Sequence, residues 1–344
     1  MGRLVPGAND RRRGKIMERI KEKKQLLTDK EIRSILPVAG LTVCAILILA
    51  VSTDTFLSRQ NLLNLFAKAA SSQVMALGMA LVLLSGYFDL TGGAVVVLSL
   101  VGCFRMLPPL HIFPAGTEIF GVLAVGILLG ALSGTFVVYC KMPSLLTSLV
   151  LIQIFRGLAF KLLEGDKISE MSRPFRWIGT VVTSGGIPVA AILVLLLTVI
   201  MQVTLQKTVL GYHARGIGVN AEIAETAGVP VKKVVWKLYV FAGFFYGVSA
   251  ILLAGRVGVI SSSLADGQEM RVLAGVVLGG CSLSGGKGSF LGCYLGVLFL
   301  TIIDNAINLL NISSYWGQFL QGIIIFTAIW LDTRINYAGR RKRI

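Results

Sequence analysis

The sequence predicts an all-α, polytopic integral membrane protein with about ten transmembrane helices. Three observations carry that prediction. Hydrophobic residues make up 55% of the 344 residues and charged residues only 15%, with a mean hydropathy of +0.78; soluble domains carry about 25% charged residues. The apolar runs reach the roughly 20 residues that a helix needs to cross a bilayer. The net charge of +16 sits in clusters beside those runs rather than on one binding face.

Taken in order, the elements begin with a basic segment, residues 1–34, which holds 11 Lys and Arg by residue 33. It has no apolar core of the kind a cleaved signal peptide needs. Its stretch IMERIKEKKQLLTDKEI reads either as an amphipathic surface helix or as a solvated tail. Ten apolar segments follow, near 35–52, 62–85, 90–106, 119–139, 143–163, 187–206, 234–257, 269–284, 288–309 and 314–332. Together, 35–333 form the membrane domain. The eighth segment is the shortest and is rich in glycine. A basic tail, 334–344, closes the chain. An even number of spans puts both termini on one side. The basic residues of the termini, of Lys141, of 207–237 and of Lys287 then share that side, 23 of the 33. By the positive-inside rule this side is cytoplasmic. The same clusters suit contact with anionic lipid headgroups, and they are not the continuous basic face that nucleic acid requires.

Two segments are interrupted. The second ends in LLSGYFDLTGGAVVV, broken by Gly86, Asp89, Gly92 and Gly93. The eighth and ninth are separated by LGGCSLSGGKGS, Leu278 to Ser289. Interrupted helices in corresponding halves of a transporter often mark a binding region. The simpler reading, which the sequence favours, is two tight cytoplasmic turns, with Asp89 or Thr91 capping the next helix. The glycine-rich stretch is not a phosphate loop: Cys281 stands where the first glycine is required, and Gly288 replaces the hydroxyl residue. The five cysteines form no CxxC pair and read as small apolar residues. His111 and His213 are too few and too far apart for a metal centre.

The longest polar stretch between spans is KTVLGYHARGIGVNAEIAETAGVPVKKVVWK, Lys207 to Lys237, with a cytoplasmic loop over 207–233. It encodes a two-turn helix, with Asn220 as N-cap, Glu222 and Glu225 near the start, Gly228 as C-cap and Pro230 beyond. Small residues Ala221, Ala224, Ala227 and Gly228 allow close approach. The helix suits docking into a partner's groove, and it equally suits a capped linker.

Glu222, Ala224 and Gly228 at this spacing resemble the coupling loop of ATP-binding-cassette permeases. More specifically, the chain is similar to ribose-type (monosaccharide and autoinducer) import permeases, relatives of the branched-chain amino-acid permeases. The likeness covers about residues 36–335. It runs through NLLNLFAKAASSQVMALGMALVLLSGYFDLTGGAV, KMPSLLTSLVLIQIFRGLAF, GYHARGIGVNAEIAETAGVPVKKV, VLAGVVLGGCSLSGGKGSFLGCYLGV and IIDNAINLLNISSYWGQFLQG. It implies a type II-like importer permease in a bacterial inner membrane. Two permease subunits, identical copies or sisters, would form the path. Separate ATPase subunits would bind ATP and magnesium, so this chain itself needs no cofactor, and an extracytoplasmic protein would deliver the sugar. The resemblance assigns ATPase coupling to Glu222, Ala224 and Gly228, with Arg215 and Asn220 just ahead. Where the family has Gly-Gly-Ile-Asp-Leu-Ser, this chain has Gly86-Tyr87-Phe88-Asp89-Leu90-Thr91, so its ligand preference can differ from ribose.

Polar residues inside spans mark the candidate solute path, because they are costly in lipid. They are Asp89, Asn64, Gln73, Gln153, Arg156, Asp304, Asn305, Asn308, Gln318 and Gln321. Asp304 and Asn308 share a helix face. Amides offer donors and acceptors without charge, as a neutral sugar requires. Arg156 and Asp304 alternatively form a structural ion pair. Tyr315 and Trp316 are interfacial anchors or sugar-stacking residues. An ion-coupled secondary transporter is the alternative function, but Asp89 and Asp304 are the only clear acids the sequence reading puts within spans. Nothing supports an intramembrane enzyme.

Overall fold

A computed structural model of the chain describes residues 35–106, 115–183, 186–313, 315–320, 322–323, 326–327 and 330. The basic segments 1–34 and 334–344, and Gln321, lie outside the described residues. The helices are α1, Ile35–Ser52; α2, Arg59–Leu84; α3, Gly92–Met106; α4, Thr117–Val138; α5, Ser144–Leu163; α6, Arg173–Thr180; α7, Val189–Lys207; α8, Val209–Val219; α9, Ala221–Thr226; α10, Val231–Val257; α11, Gln268–Leu278; and α12, Phe290–Leu309. Side-chain oxygens of Ser58, Ser172, Thr208, Asn220 and Ser289 cap α2, α6, α8, α9 and α12, each satisfying a backbone N–H that the helix cannot. Among the described residues there is no strand, only the isolated bridges Ile168–Ile260 and Val182–Pro188.

Of the ten expected spans, seven correspond to helices long and apolar enough to cross a membrane: α1, α2, α4, α5, α7, α10 and α12. The third and eighth are short helices, α3 with 15 residues and α11 with 11. The tenth segment is described only in part.

The core is built on α2 and α10, both buried over most of their length. Leaving lipid gains little for an apolar side chain, so small residues that let backbones touch do the packing. Gly126, Gly130 and Gly134 of α4 lie against Tyr239, Gly243 and Gly247 of α10. Gly275 and Gly279 of α11 and its end meet Gly296 and Gly292 of α12 in the same way. The outer faces carry Leu47, Ile48, Leu149, Ile154, Leu196 and Ile200, all exposed, as a lipid-facing surface demands.

The two longest helices, α2 and α10, are each followed by a return segment and a short helix. After α2, Gly86 still lies at the helix end, near Gly218 and Ser284. The chain then climbs α10 in an extended run. The Tyr239 hydroxyl donates to the Phe88 carbonyl at 2.7 Å, and the Tyr246 hydroxyl to the Asp89 carboxylate at 3.1 Å. Seven residues of helix separate those tyrosines, about 10 Å. Consequently α3 starts deep in the bundle, with Gly92 packed on Tyr246 and Met75.

The mirror event follows α10. Residue Ile260 pairs with Ile168 at the end of the bundle away from α9. The chain then returns inward until the Ala265 carbonyl and the Glu269 carboxylate lie against Gly93. The first turns of α3 and α11 thus meet partway along the bundle and point in opposite directions. This corrects one of the two tight turns read from the sequence. The break at 85–91 is not a tight turn, and its counterpart is 258–267 rather than 279–289. The 279–289 stretch is a true end turn. Its Gly286 N–H donates to the Leu84 carbonyl at 2.8 Å, and Gly285 packs on Gly86 and Gly218. Glycine is required where three backbones touch.

Candidate functional site

Two regions concentrate polar chemistry: the helical segment at one end, and the middle of the bundle. At the end, the expected loop 207–233 is almost wholly helical, as α8 and α9. Asn220 caps α9, accepting the Ile223 N–H at 2.9 Å. At the other terminus the Gly228 N–H reaches the Glu225 carbonyl at 2.9 Å and the Val229 N–H the Ala224 carbonyl at 3.0 Å. With Gly228 at φ +85°, that is a Schellman closure, which favours glycine. Ala224 is buried; Glu222, Ile223, Glu225 and Gly228 are exposed. Ile223, two-thirds exposed, was missed by the sequence reading, although an apolar residue between two acids on so short a helix has one face to fill.

Beside α9 lies a cavity of about 420 Å³, lined by Tyr87, Lys141, Ser144, Glu222, Glu225 and Lys232 among others. Burial, and then the Glu225 carboxylate, push the Tyr87 phenol above its ordinary value. Arg215 faces inward, its guanidinium donating to the Gly288 carbonyl at 3.2 Å, and so ties α8 to the glycine-rich turn.

In the middle of the bundle the candidate path residues separate into different roles. Asp89 is 2% exposed. It accepts from the Thr91 N–H at 3.0 Å, the Thr91 hydroxyl at 2.6 Å and the Tyr246 hydroxyl. It fastens the α3 start to α10. Asn305 exchanges two hydrogen bonds with Asn61 of α2, at 2.8 and 3.1 Å. Asn64, Gln153, Asn308 and Gln318 are exposed, and Gln73 is buried.

Arg156 and Asp304 do not pair with each other; each binds α11 or its approach. Arg156 of α5 meets Asp266 at 2.5 Å and Glu269 at 2.9 Å. Asp304 of α12 meets Arg271 at 3.0 Å and Lys68 of α2 at 3.9 Å. The sequence reading missed Lys68, Asp266, Glu269 and Arg271. Glu269 also corrects its tally of intramembrane acids, being 7% exposed and deep in the bundle. A signal was present: QEMR places opposite charges two residues apart, on opposite helix faces. Of the cysteines, Cys103, Cys281 and Cys293 are buried, but Cys44 and Cys140 are exposed. Among the described residues no group of His, Cys, Asp and Glu is arranged to hold a metal ion.

Comparison with known proteins bears on the chain as a whole. The family described as "Branched-chain amino acid transport system / permease component" matches residues 61–329. The ribose import permease protein RbsC of Bacillus subtilis (strain 168) is 32% identical over 324 residues, covering 91% of this chain and 97% of its own. The autoinducer 2 import system permease protein LsrC of Enterobacter sp. (strain 638) is 29% identical, covering 93% of this chain and 91% of its own. The xylose transport system permease protein XylH of Haemophilus influenzae is 26% identical, covering 83% and 92%. No solved structure matches the chain. With a match that takes in α2 to α12, and a relative 32% identical along nearly its whole length, the chain belongs to the family of permease components of branched-chain amino acid transport systems.

Proposed function

We propose that this chain is the transmembrane permease subunit of an ATP-binding-cassette importer for a small sugar or related solute, set in a bacterial inner membrane. The relatives named above are import permeases for ribose and autoinducer 2 and a xylose transport permease, which supports the substrate class. ATP and magnesium belong to partner ATPase subunits, and a second permease subunit and an extracytoplasmic binding protein complete the transporter. The α9 end is the cytoplasmic end, and both termini lie there.

The observation that carries the reading is α9 itself. It is closed at both ends by hydrogen bonds, seated through Ala224, and turns Glu222, Ile223 and Glu225 outward. A rigid, fully capped helix with a free face transmits the movement of a docked ATPase better than a loose loop, because none of the movement is lost in ordering the chain. Arg215 and Asn220 act behind it, Arg215 by anchoring α8 and Asn220 by capping. Reversing the charge at Glu222 tests this. Glu222→Lys is expected to insert normally while ATPase co-purification and solute uptake both fall by roughly tenfold or more, as when a charge-assisted contact is replaced by repulsion. Undiminished co-purification with normal uptake would remove the docking role. If uptake stops when the ion gradient is collapsed with ATP intact, the solute is ion-coupled instead.

A further inference from the structure

We propose that Cys281 and Cys293 are a redox site: two buried thiols at one end of the bundle that a peroxide converts reversibly into a disulfide, stapling α11 to α12. Solute passage and ATPase docking give these thiols no part, and in the sequence all five cysteines read as small apolar residues.

The two sulfurs lie 3.3 Å apart, one thiol donating to the other. Glycine contacts bring them together. Gly279, at the end of α11, lies against Gly292 and the backbone of Cys293, and Gly275 lies against Val297. Backbone hydrogen bonds hold both residues in place: the Cys281 N–H donates to the Val276 carbonyl at 3.2 Å, and the Cys293 N–H to the Ser289 carbonyl at 3.1 Å. A methyl group at Gly288 would collide with the Cys281 sulfur, so the turn is shaped around that thiol. Both side chains are closed to solvent. The third buried cysteine, Cys103 of α3, turns its thiol to the Glu118 carbonyl at 3.5 Å, and Cys44 and Cys140 are exposed.

A disulfide needs its sulfurs at about 2.05 Å, so a small approach suffices. Cys281 sits in the turn just beneath the exposed Ser284 and Lys287, where small, neutral hydrogen peroxide can reach it and a bulky thiol reagent cannot. The Cys281 sulfur takes one peroxide oxygen as a sulfenic acid, and the O–O bond breaks to release water. The Cys293 sulfur then attacks that sulfur. The S–S bond forms, the S–O bond breaks, and the hydroxyl leaves with the Cys293 proton as a second water. Two thiols and one peroxide thus give one disulfide and two waters. A dithiol reductant reverses the step through a mixed disulfide and leaves as its own disulfide. The second thiol, already in contact, holds the oxidation at this reversible stage.

The bond closes a short loop around the glycine-rich turn. That turn is tied to α2 by the Gly286 N–H on the Leu84 carbonyl, and to α8 by Arg215 on the Gly288 carbonyl. Gln202 of α7 accepts the Phe290 N–H at 2.8 Å just beyond it. Glycine has the freest backbone of any residue, so the turn has much freedom to lose. A staple across its two ends removes part of that freedom and stiffens the junction of α2, α7, α8, α11 and α12.

The test treats the purified full-length permease in lipid nanodiscs with hydrogen peroxide, at a dose that already oxidises the exposed Cys44 and Cys140. Free thiols are then blocked, and the protein is digested with trypsin without reduction. Cleavage after Lys287 puts Cys281 and Cys293 on separate peptides. The bond is expected as one linked pair, about 2 Da lighter than the two peptides together, which dithiothreitol releases. Hydrogen exchange across residues 280–289 should slow roughly tenfold or more in the linked protein. In Cys293→Ser no linked pair should form, and dimedone should trap Cys281 as its sulfenic acid. The triple variant Cys44→Ser, Cys103→Ala, Cys140→Ser keeps both thiols and should give the same bond, so it decides the matter if Cys293→Ser does not fold. The site is overturned if both thiols stay reduced while Cys44 and Cys140 oxidise, if either links to another cysteine instead, if dithiothreitol fails to release the pair, or if exchange is unchanged in the linked protein. Solute uptake and ATPase co-purification test the importer reading by themselves and leave this site untouched.

Discussion

Asp89 shows how much of a residue's role depends on what surrounds it. Sequence alone leaves it between a solute-path acid and a turn cap. In the fold its carboxylate faces three donors, the Thr91 N–H, the Thr91 hydroxyl and the Tyr246 hydroxyl, and is closed to solvent. The carboxylate is suited to that place because it accepts without offering a proton. Asp89→Asn would turn an amide NH₂ toward one of those donors. We expect a stability loss of about 1–3 kcal/mol, read as a lower melting temperature in detergent, with a smaller loss for Tyr246→Phe, which removes one donor only. An unchanged melting temperature in Asp89→Asn would show that the three contacts are not fastening the start of α3. Asn305 carries the same lesson: its amide is visible in the sequence, but its partner Asn61 lies 244 residues away, and no spacing rule reaches that far.

Among the elements, α9 was the most legible and α4 the least. The caps of α9 are local, so Asn220 and Gly228 could be read from residues a few positions apart. Helix α4 holds Gly126, Gly130 and Gly134 in register, but their meaning comes from Gly243 and Gly247 on a helix more than a hundred residues later. A Cβ on Gly130 would lie 2.5 Å from the Tyr239 carbonyl oxygen and 2.8 Å from the Gly243 Cα. Both obstacles are backbone, so the helices must part. Gly130→Ala is therefore expected to lower stability by about 1–3 kcal/mol. Gly157→Ala, on α5 with nothing within 4 Å of the new methyl, should be neutral or stabilise by about 0.5–1 kcal/mol. Thermal unfolding of the two variants side by side separates close packing from helix propensity; equal shifts would remove the α4–α10 contact as the cause.

For the whole molecule, the sequence shows apolar length and charge placement well, and depth poorly. Lys141, Glu222 and Lys232 line one cavity, and the turn holding Lys287 touches Leu84 at the same end, as the clustering of basic residues led us to expect. The return at 258–267 was not legible, because GVISSSLADG has the composition of any exposed loop. Its contacts with Gly93 of α3 and with Arg156 of α5 show that it runs inward. Short as they are, α3 and α11 still carry the chain across once their return segments are added, so the alternation of ends is preserved. That makes a labelling prediction. In a background with the exposed Cys44 and Cys140 replaced by serine, single cysteines at Lys141, Glu222 and Lys287 should all react with an impermeant maleimide from one side of the membrane. Cysteines at Glu164 and Trp177 should react from the other side only, since the bridge from Ile168 to Ile260 fixes that loop at the opposite end. The partly exposed Arg271 should label from the Glu164 side, and more slowly, because it lies one turn inside α11 rather than in an open loop. Labelling of Arg271→Cys as fast as Glu164→Cys would mean that 258–267 is an ordinary surface loop and that α11 does not begin inside the membrane.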